Sequence, residues 1–369
     1  MRSRDARTVD VRLGQRSYKI VISSGIIKRI GPYLARLPIG KDFVIITNPN
    51  LSSSYKSVLK GSIEKEGFTS RFVLMAEGEK AKSEKAISRA IAEISGFDRK
   101  KALSIIAFGG GVVGDAAGFI AAIYKRGIPY VQVPTTLLAQ VDSAIGGKVA
   151  IDLPCAKNLI GAFYQPKLVL SDISILKSLP PRQIRSGLAE VIKYGVIADP
   201  RLFEYIEGHL NDIAGLDEDA LRFIVSRCSA IKAGIVEADE FDRKGRRIIL
   251  NYGHTIGHAL EAASGYSKAY THGEAISLGM AAANRIATRL GILDETVSDR
   301  INSLLKASGL PTAIKKLDPK KIYEAHLKDK KFSGSVNRFV LPVKIGRVRV
   351  EKDIKEAVIR RSLEECYGG

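Results

Sequence analysis

Two histidines four residues apart, His254 and His258, stand in the run LNYGHTIGHALE, and a third, His272, follows in THGEA. The whole chain has five histidines, so three crowded into one stretch suggest a shared task. If residues 253–264 form a helix, steps of about 100° put His254, His258 and Glu261 on one side and Ile256, Leu260 and Ala263 on the other. Imidazoles at i and i+4 can share one zinc ion, and a catalytic zinc takes three protein ligands and keeps a further position open. His272 would complete such a set. The plainer alternative is a row of satisfied polar groups between helices. A zincin motif is excluded, because Thr255 stands where that motif needs glutamate.

Other polar residues gather in short runs. SGLAEVIKYG places Glu190 and Lys193 three apart, able to face one cleft if helical or to make only a surface ion pair. Lys232, Arg247 and Asn251 precede His254. Such cations suit an acidic substrate, since arginine grips a carboxylate with two donors and lysine supplies a point charge. In IIAFGGGVVGDAAGF, Gly109, Gly111 and Gly114 satisfy G-x-G-x-x-G between a strand and a helix, where bare backbone can approach a pyrophosphate. Asp115 is expected within that loop, where it would meet a ribose or a cation. Tight strand–helix packing would need the same glycines. The segment 134–161 carries Thr135, Thr136, Asp142, Lys148, Lys157 and Asn158 among small and apolar residues. A ligand would partner them; a solvated loop is the alternative.

The elements that must hold these groups change character along the chain. Residues 42–50, 71–79, 101–111, 128–136 and 167–173 read as strands alternating with helical patterns, which means βαβ units and a parallel sheet, with the glycine loop after the third strand. Past Pro180 and Pro181 long helical segments follow, and only 335–350 reads as a hairpin. The expected organisation is an α/β domain over 1–178 and a mostly α-helical domain over 179–369.

Composition bounds the partners. The net charge of +19 is scattered among acids without a basic stripe, so it suits anionic small molecules and gives no nucleic-acid footprint. Cys155, Cys228 and Cys366 are too dispersed for a disulfide framework, which fits a reducing cytoplasm, and the charged N-terminal run reads as no secretory signal. The apolar run 102–123 is broken by glycines and Asp115, and reads as strand, loop and helix, not as a membrane span.

The runs GGGVVGDAAGF, VPTTLLAQVDSAIGGKVAID, KNLIGAFYQP, SGLAEVIKYG, RRIILNYGHTIGHALE, HGEAISLGM and DKK come in the order seen in the 3-dehydroquinate synthase family, and the resemblance spans nearly the whole chain. It implies a Rossmann-like N-terminal domain that binds NAD and a helical C-terminal domain that binds metal and substrate. The cofactors implied are NAD and one divalent metal ion, zinc or cobalt. The activity implied is conversion of 3-deoxy-D-arabino-heptulosonate 7-phosphate to 3-dehydroquinate and phosphate, by transient oxidation, phosphate elimination, re-reduction and aldol closure. By the same resemblance Glu190, His254 and His272 are the metal ligands and His258 is a substrate-side acid–base group. Implied substrate contacts are Asp142, Lys148, Asn158, Lys193, Lys232, Arg247, Asn251 and either Lys331 or Lys330, with Arg126 reaching the phosphate from the neighbouring subunit of a homodimer. Implied NAD contacts are Asn48, Glu79, Lys82, Gly110, Gly111, Asp115, Thr135, Thr136, Lys148 and Lys157. The spacer DEFDRKGRR is one residue longer than the family's usual one, which makes Arg246 a rival to Arg247. An inosose or valiolone synthase, or a metal-dependent polyol dehydrogenase, is the competing activity; Arg247, Lys232 and Asn158 favour a carboxylate-bearing substrate.

Overall fold

The computed structural model describes residues 6–98, 102–153, 156–265, 269–315, 317–332 and 336–367. It divides into two compact units: residues 1–179 with 221–241, and residues 180–220 with 242–369.

The first unit opens with an antiparallel pair, β1 (Arg7–Val11) and β2 (Tyr18–Ser23). There follow α1 (Ile30–Leu34), β3 (Asp42–Thr47), α2 (Pro49–Glu64), β4 (Thr69–Leu74), α3 (Glu84–Phe97), β5 (Leu103–Gly109), α4 (Gly111–Ile123) and β6 (Tyr130–Pro134). A hairpin of β7 (Lys148–Leu153) and β8 (Ala156–Phe163) precedes β9 (Leu168–Asp172). The main sheet runs β1-β2-β9-β6-β5-β3-β4, parallel beyond the first pair. The glycine loop thus follows the fifth strand, not the third. β1 escaped the sequence pattern because it is an edge strand with mostly exposed Arg, Thr and Asp side chains, and its inner, mostly buried partner β2 went unread with it.

Every residue of β5 is buried, as expected of a parallel strand covered on both faces. Its alternation splits two cores. Ile105 and Ala107 join Val44 and Ile46 beneath α3 and α4, whereas Ile106 and Phe108 join Phe43 and Ile45 beneath α1 and α2. Strand order reverses between β3 and β5, since β4 lies on the outer side of β3 and β5 on its other side. Open α/β sheets take ligands at strand carboxyl ends beside such a reversal. Asn48 follows β3 there, and Gly110 follows β5.

The second unit holds α5 (Pro181–Ala198), α6 (Pro200–Gly208) and α7 (Leu210–Ala214). Then come α8 (Glu218–Ala238), most of which belongs to the first unit, and α9 (His254–Ala263), α10 (His272–Arg289), α11 (Glu295–Ala307) and α12 (Pro319–Phe332). The hairpin β10 (Arg338–Lys344) and β11 (Arg347–Lys352) and the helix α13 (Glu356–Glu365) complete it. Helices α5, α9 and α10 meet through glycines. A Cβ on Gly279 would lie 1.9 Å from the Gly253 carbonyl oxygen, and one on Gly273 would lie 2.1 Å from that of Ser186. Only glycine allows these backbones to approach so closely. Among the described residues no helix is long and apolar enough to cross a membrane.

Candidate active site

Three helices converge on one group of donors. Glu190, fully buried, projects from α5; His254 is the first residue of α9; His272 is the first residue of α10. Their ligand atoms all lie within 4.8 Å of one another. The Nε2 atoms of His254 and His272 each stand 3.6 Å from Glu190 Oε1. A capping box sets the position of His272: Thr271 Oγ1 accepts from the Glu274 amide at 3.3 Å, and Glu274 Oε2 accepts from the Thr271 amide at 2.8 Å. Arg182 clamps Glu274 through both nitrogens of a fork, at 2.8 and 2.6 Å.

The far sides of the imidazoles are engaged too. His254 Nδ1 lies 3.2 Å from the Tyr252 carbonyl and His272 Nδ1 lies 3.2 Å from Glu261 Oε1. With Nδ1 donating, each Nε2 is left to face Glu190, which is how histidine is prepared for a cation. Burial, reinforced by the Lys193 ammonium, holds the His254 pKa down at about 3, so this ring stays neutral. Burial also works against charge on His272, but the carboxylates of Glu190 and Glu261, as acceptors and as negative charges, outweigh it and lift that pKa to about 10. The ring between two carboxylates therefore attracts a positive charge, and a metal ion at Nε2 would replace a proton. Two imidazoles and a buried carboxylate fit zinc or cobalt by donor type and number.

His258 stands apart. It is exposed, with its ring centre 5.3 Å from that of His254 and 6.4 Å from that of His272, and it is outside the converging group. Lys193 is buried and ion-paired with Glu190, not on the surface. Arg247 is buried while Arg246 is exposed, and Asn251 is exposed. Lys330 and Lys331 fall in the last turn of α12, and their side chains lie outside the described residues.

In the first unit the glycine loop divides into two tasks. A Cβ on Gly109 would lie 2.5 Å from Val113 Cβ and one on Gly114 would lie 2.9 Å from Gln132 Oε1, so packing explains these two. Gly110 and Gly111 open α4 with bare backbone at the helix N-terminus, and a Cβ on them would meet Thr136 Cγ2 at 3.1 Å and Ser143 Oγ at 2.9 Å. Asp115 lies within α4, not in a loop, because the helix begins directly at Gly111. Its carboxyl is raised to about 6 by burial, against the pull of Lys82, whose Nζ lies 2.8 Å from Oδ2. Lys82 also donates to Asn158 Oδ1. Lys157 pairs with Glu79 at 3.2 Å, and Asn48 caps α2 by accepting from the Leu51 amide at 2.9 Å. Thr135 is buried, and Thr136 Oγ1 accepts from the Ala139 amide at 3.2 Å. Lys232 donates to both the carbonyl and the Oδ1 of Asp142, each at 2.8 Å. Lys148 is exposed, 5.9 Å from the centre of the Phe163 ring. Arg126 is exposed in a turn with left-handed φ values of 49° at Lys125 and 65° at Arg126.

Two features went unread in the sequence. A single π-helical turn, Ala139–Ser143, places the buried Ser143 hydroxyl beside Gly111; no period marks such a turn in advance. Behind His254, the buried Tyr252 hydroxyl donates to Asn284 Oδ1 at 2.6 Å, and Asn284 Nδ2 donates to Asn302 Oδ1 at 3.0 Å. That chain fixes the residue whose carbonyl orients His254.

Comparison with known proteins agrees with this architecture. The family model described as 3-dehydroquinate synthase N-terminal matches residues 72–186, and the one described as 3-dehydroquinate synthase C-terminal matches residues 187–332. The chain is 45% identical over 361 residues to a 3-dehydroquinate synthase of Desulforamulus reducens, covering 97% of this chain and 99% of that one. It is 46% identical over 364 residues to one of Pelotomaculum thermopropionicum, covering 98% and 97%. A solved 2-deoxy-scyllo-inosose synthase, complexed with carbaglucose-6-phosphate, NAD+ and Co2+, superposes with a TM-score of 0.88 at 26% identity, over 97% of this chain and all 100% of the other. With matched models that together run from residue 72 to 332 and relatives this similar along their full length, the chain belongs to the 3-dehydroquinate synthase family.

Proposed function

We propose that the chain converts 3-deoxy-D-arabino-heptulosonate 7-phosphate to 3-dehydroquinate and phosphate, using NAD at the first unit and a zinc or cobalt ion at the second. The observation that carries the reading is the convergence of Glu190, His254 and His272, with both Nδ1 atoms engaged elsewhere. NAD, when bound, accepts and returns one hydride. A divalent ion, when bound, lowers the pKa of the hydroxyl that is oxidised. The chain's own residues do the rest. Arg247 and Lys232 hold the substrate carboxylate, the first as a fork and the second as a point charge oriented by Asp142. Lys148, Lys193 and Arg126 orient the phosphate as it leaves, and His258, outside the metal group, moves a proton at its ring nitrogen. Asn158 and Asn251 bind hydroxyls, and Lys330 or Lys331 adds a further cation. Gly110, Gly111, Thr135, Thr136, Asn48, Asp115, Lys82, Glu79, Lys148 and Lys157 surround the dinucleotide.

A homodimer completes this reading. Leu159, Ile160 and Phe163 of the β8 strand are large apolar side chains left exposed, which a partner subunit would cover. The acidic substrate accounts for the positive charge without nucleic acid, and the dispersed cysteines suit a cytoplasmic setting. The test is to supply the metal-loaded protein with the heptulosonate phosphate and substoichiometric NAD. Phosphate release over many turnovers without NADH accumulation is expected. NADH accumulating with turnover, or release only from a heptulose phosphate lacking the carboxylate, would refute the proposal.

A further inference from the structure

We propose that Glu261 is the positioning residue of the metal centre: its carboxylate accepts the Nδ1–H of His272 and turns the Nε2 of that ring toward an ion shared with Glu190 and His254. The inference rests on the metal reading above. Two distances on opposite edges of one ring carry it: 3.2 Å from Nδ1 to Glu261 Oε1, and 3.6 Å from Nε2 to Glu190 Oε1. A neutral imidazole has one donor and one acceptor nitrogen, so a carboxylate at Nδ1 fixes which edge presents its lone pair. The same negative charge makes the ring a stronger base and tightens its bond to a cation.

The arrangement divides labour along α9. Its first residue, His254, belongs to the ligand group, and Glu261, two turns later, steadies the ligand on α10. The close approach at Gly253 and Gly279 sets the distance between the two helices. His254 has the corresponding support from the Tyr252 carbonyl, a backbone group that no side-chain substitution deletes. The two histidines thus differ in a way mutation can exploit, because only His272 depends on a replaceable carboxylate.

Zinc affinity of the full chain, read by competition with a chromogenic chelator, is the measurement. Glu261→Ala is expected to weaken zinc binding about 10- to 100-fold. Glu261→Gln is expected to weaken it less, since its amide oxygen still accepts the Nδ1–H, and to leave the melting temperature of the metal-free protein unchanged. Wild-type zinc affinity in Glu261→Ala would overturn the inference. So would equal losses of zinc affinity and of metal-free melting temperature in both variants, the mark of a merely structural role. His254→Ala separates this from the underlying reading. If that variant holds zinc as well as wild type, the metal reading itself fails; if it loses zinc while Glu261→Ala keeps it, only the role of Glu261 fails.

Discussion

The metal centre and the glycine loop solve the same problem, placing a charged cofactor, by opposite means. At the metal centre the donors come from three helices whose backbones touch through Gly273 and Gly279, and each side chain is held on its far edge by a hydrogen bond or ion pair. At the glycine loop the cradle is backbone, opened by the absence of side chains at Gly110 and Gly111, and the charged groups around it pair with one another. The first arrangement is fixed by packed side chains; the second is fixed by backbone, with no room for a Cβ beside Thr136 and Ser143. Different substitutions should therefore break each one.

The largest effect is expected at the helix contact. Gly279→Val would drive a side chain into the Gly253 carbonyl, and should cost on the order of 3 kcal/mol in stability, read by thermal or urea unfolding, with zinc binding lost in parallel. An unchanged unfolding midpoint would show that the contact is looser than the distances state. Next comes the glycine loop. Gly111→Val should weaken NAD binding about tenfold or more, near 1.4 kcal/mol, while leaving zinc content intact. A loss of zinc in that variant would mean that the two regions are not separable.

The smallest effect concerns Asp115. Burial raises its carboxyl to about 6, so protonation of the folded state stabilises the first unit at lower pH, and that contribution is lost as pH rises through about 6. Carboxyl carbon NMR should find the midpoint there. Lys82→Met removes the main opposing pull and should move the midpoint higher. A downward shift would contradict the assignment of causes.

These contrasts also explain what could be read in the sequence. The spacing of His254, His258 and Glu261 is local, and α9 delivers that polar side as the helical period requires, with Ile256 and Leu260 buried opposite. Spacing alone could not separate His254 from His258, because both lie on that side; the split needs His272 and Glu190, brought in by α10 and α5. The central strands were legible as apolar runs, whereas β1 was not, since an edge strand exposes the polar residues that elsewhere signal a loop. The partners of Lys82 were illegible for another reason. Asp115 and Asn158 are distant in sequence and meet Lys82 only because α4 and the β7–β8 hairpin pack together in the folded unit.

The division between the two α9 histidines is the central claim, and zinc content measured on purified variants tests it most directly. Wild type and His258→Ala should each carry about one zinc per chain, with His258→Ala losing most of its turnover, while His254→Ala should carry almost none. Equal zinc content in His254→Ala and His258→Ala would contradict the account.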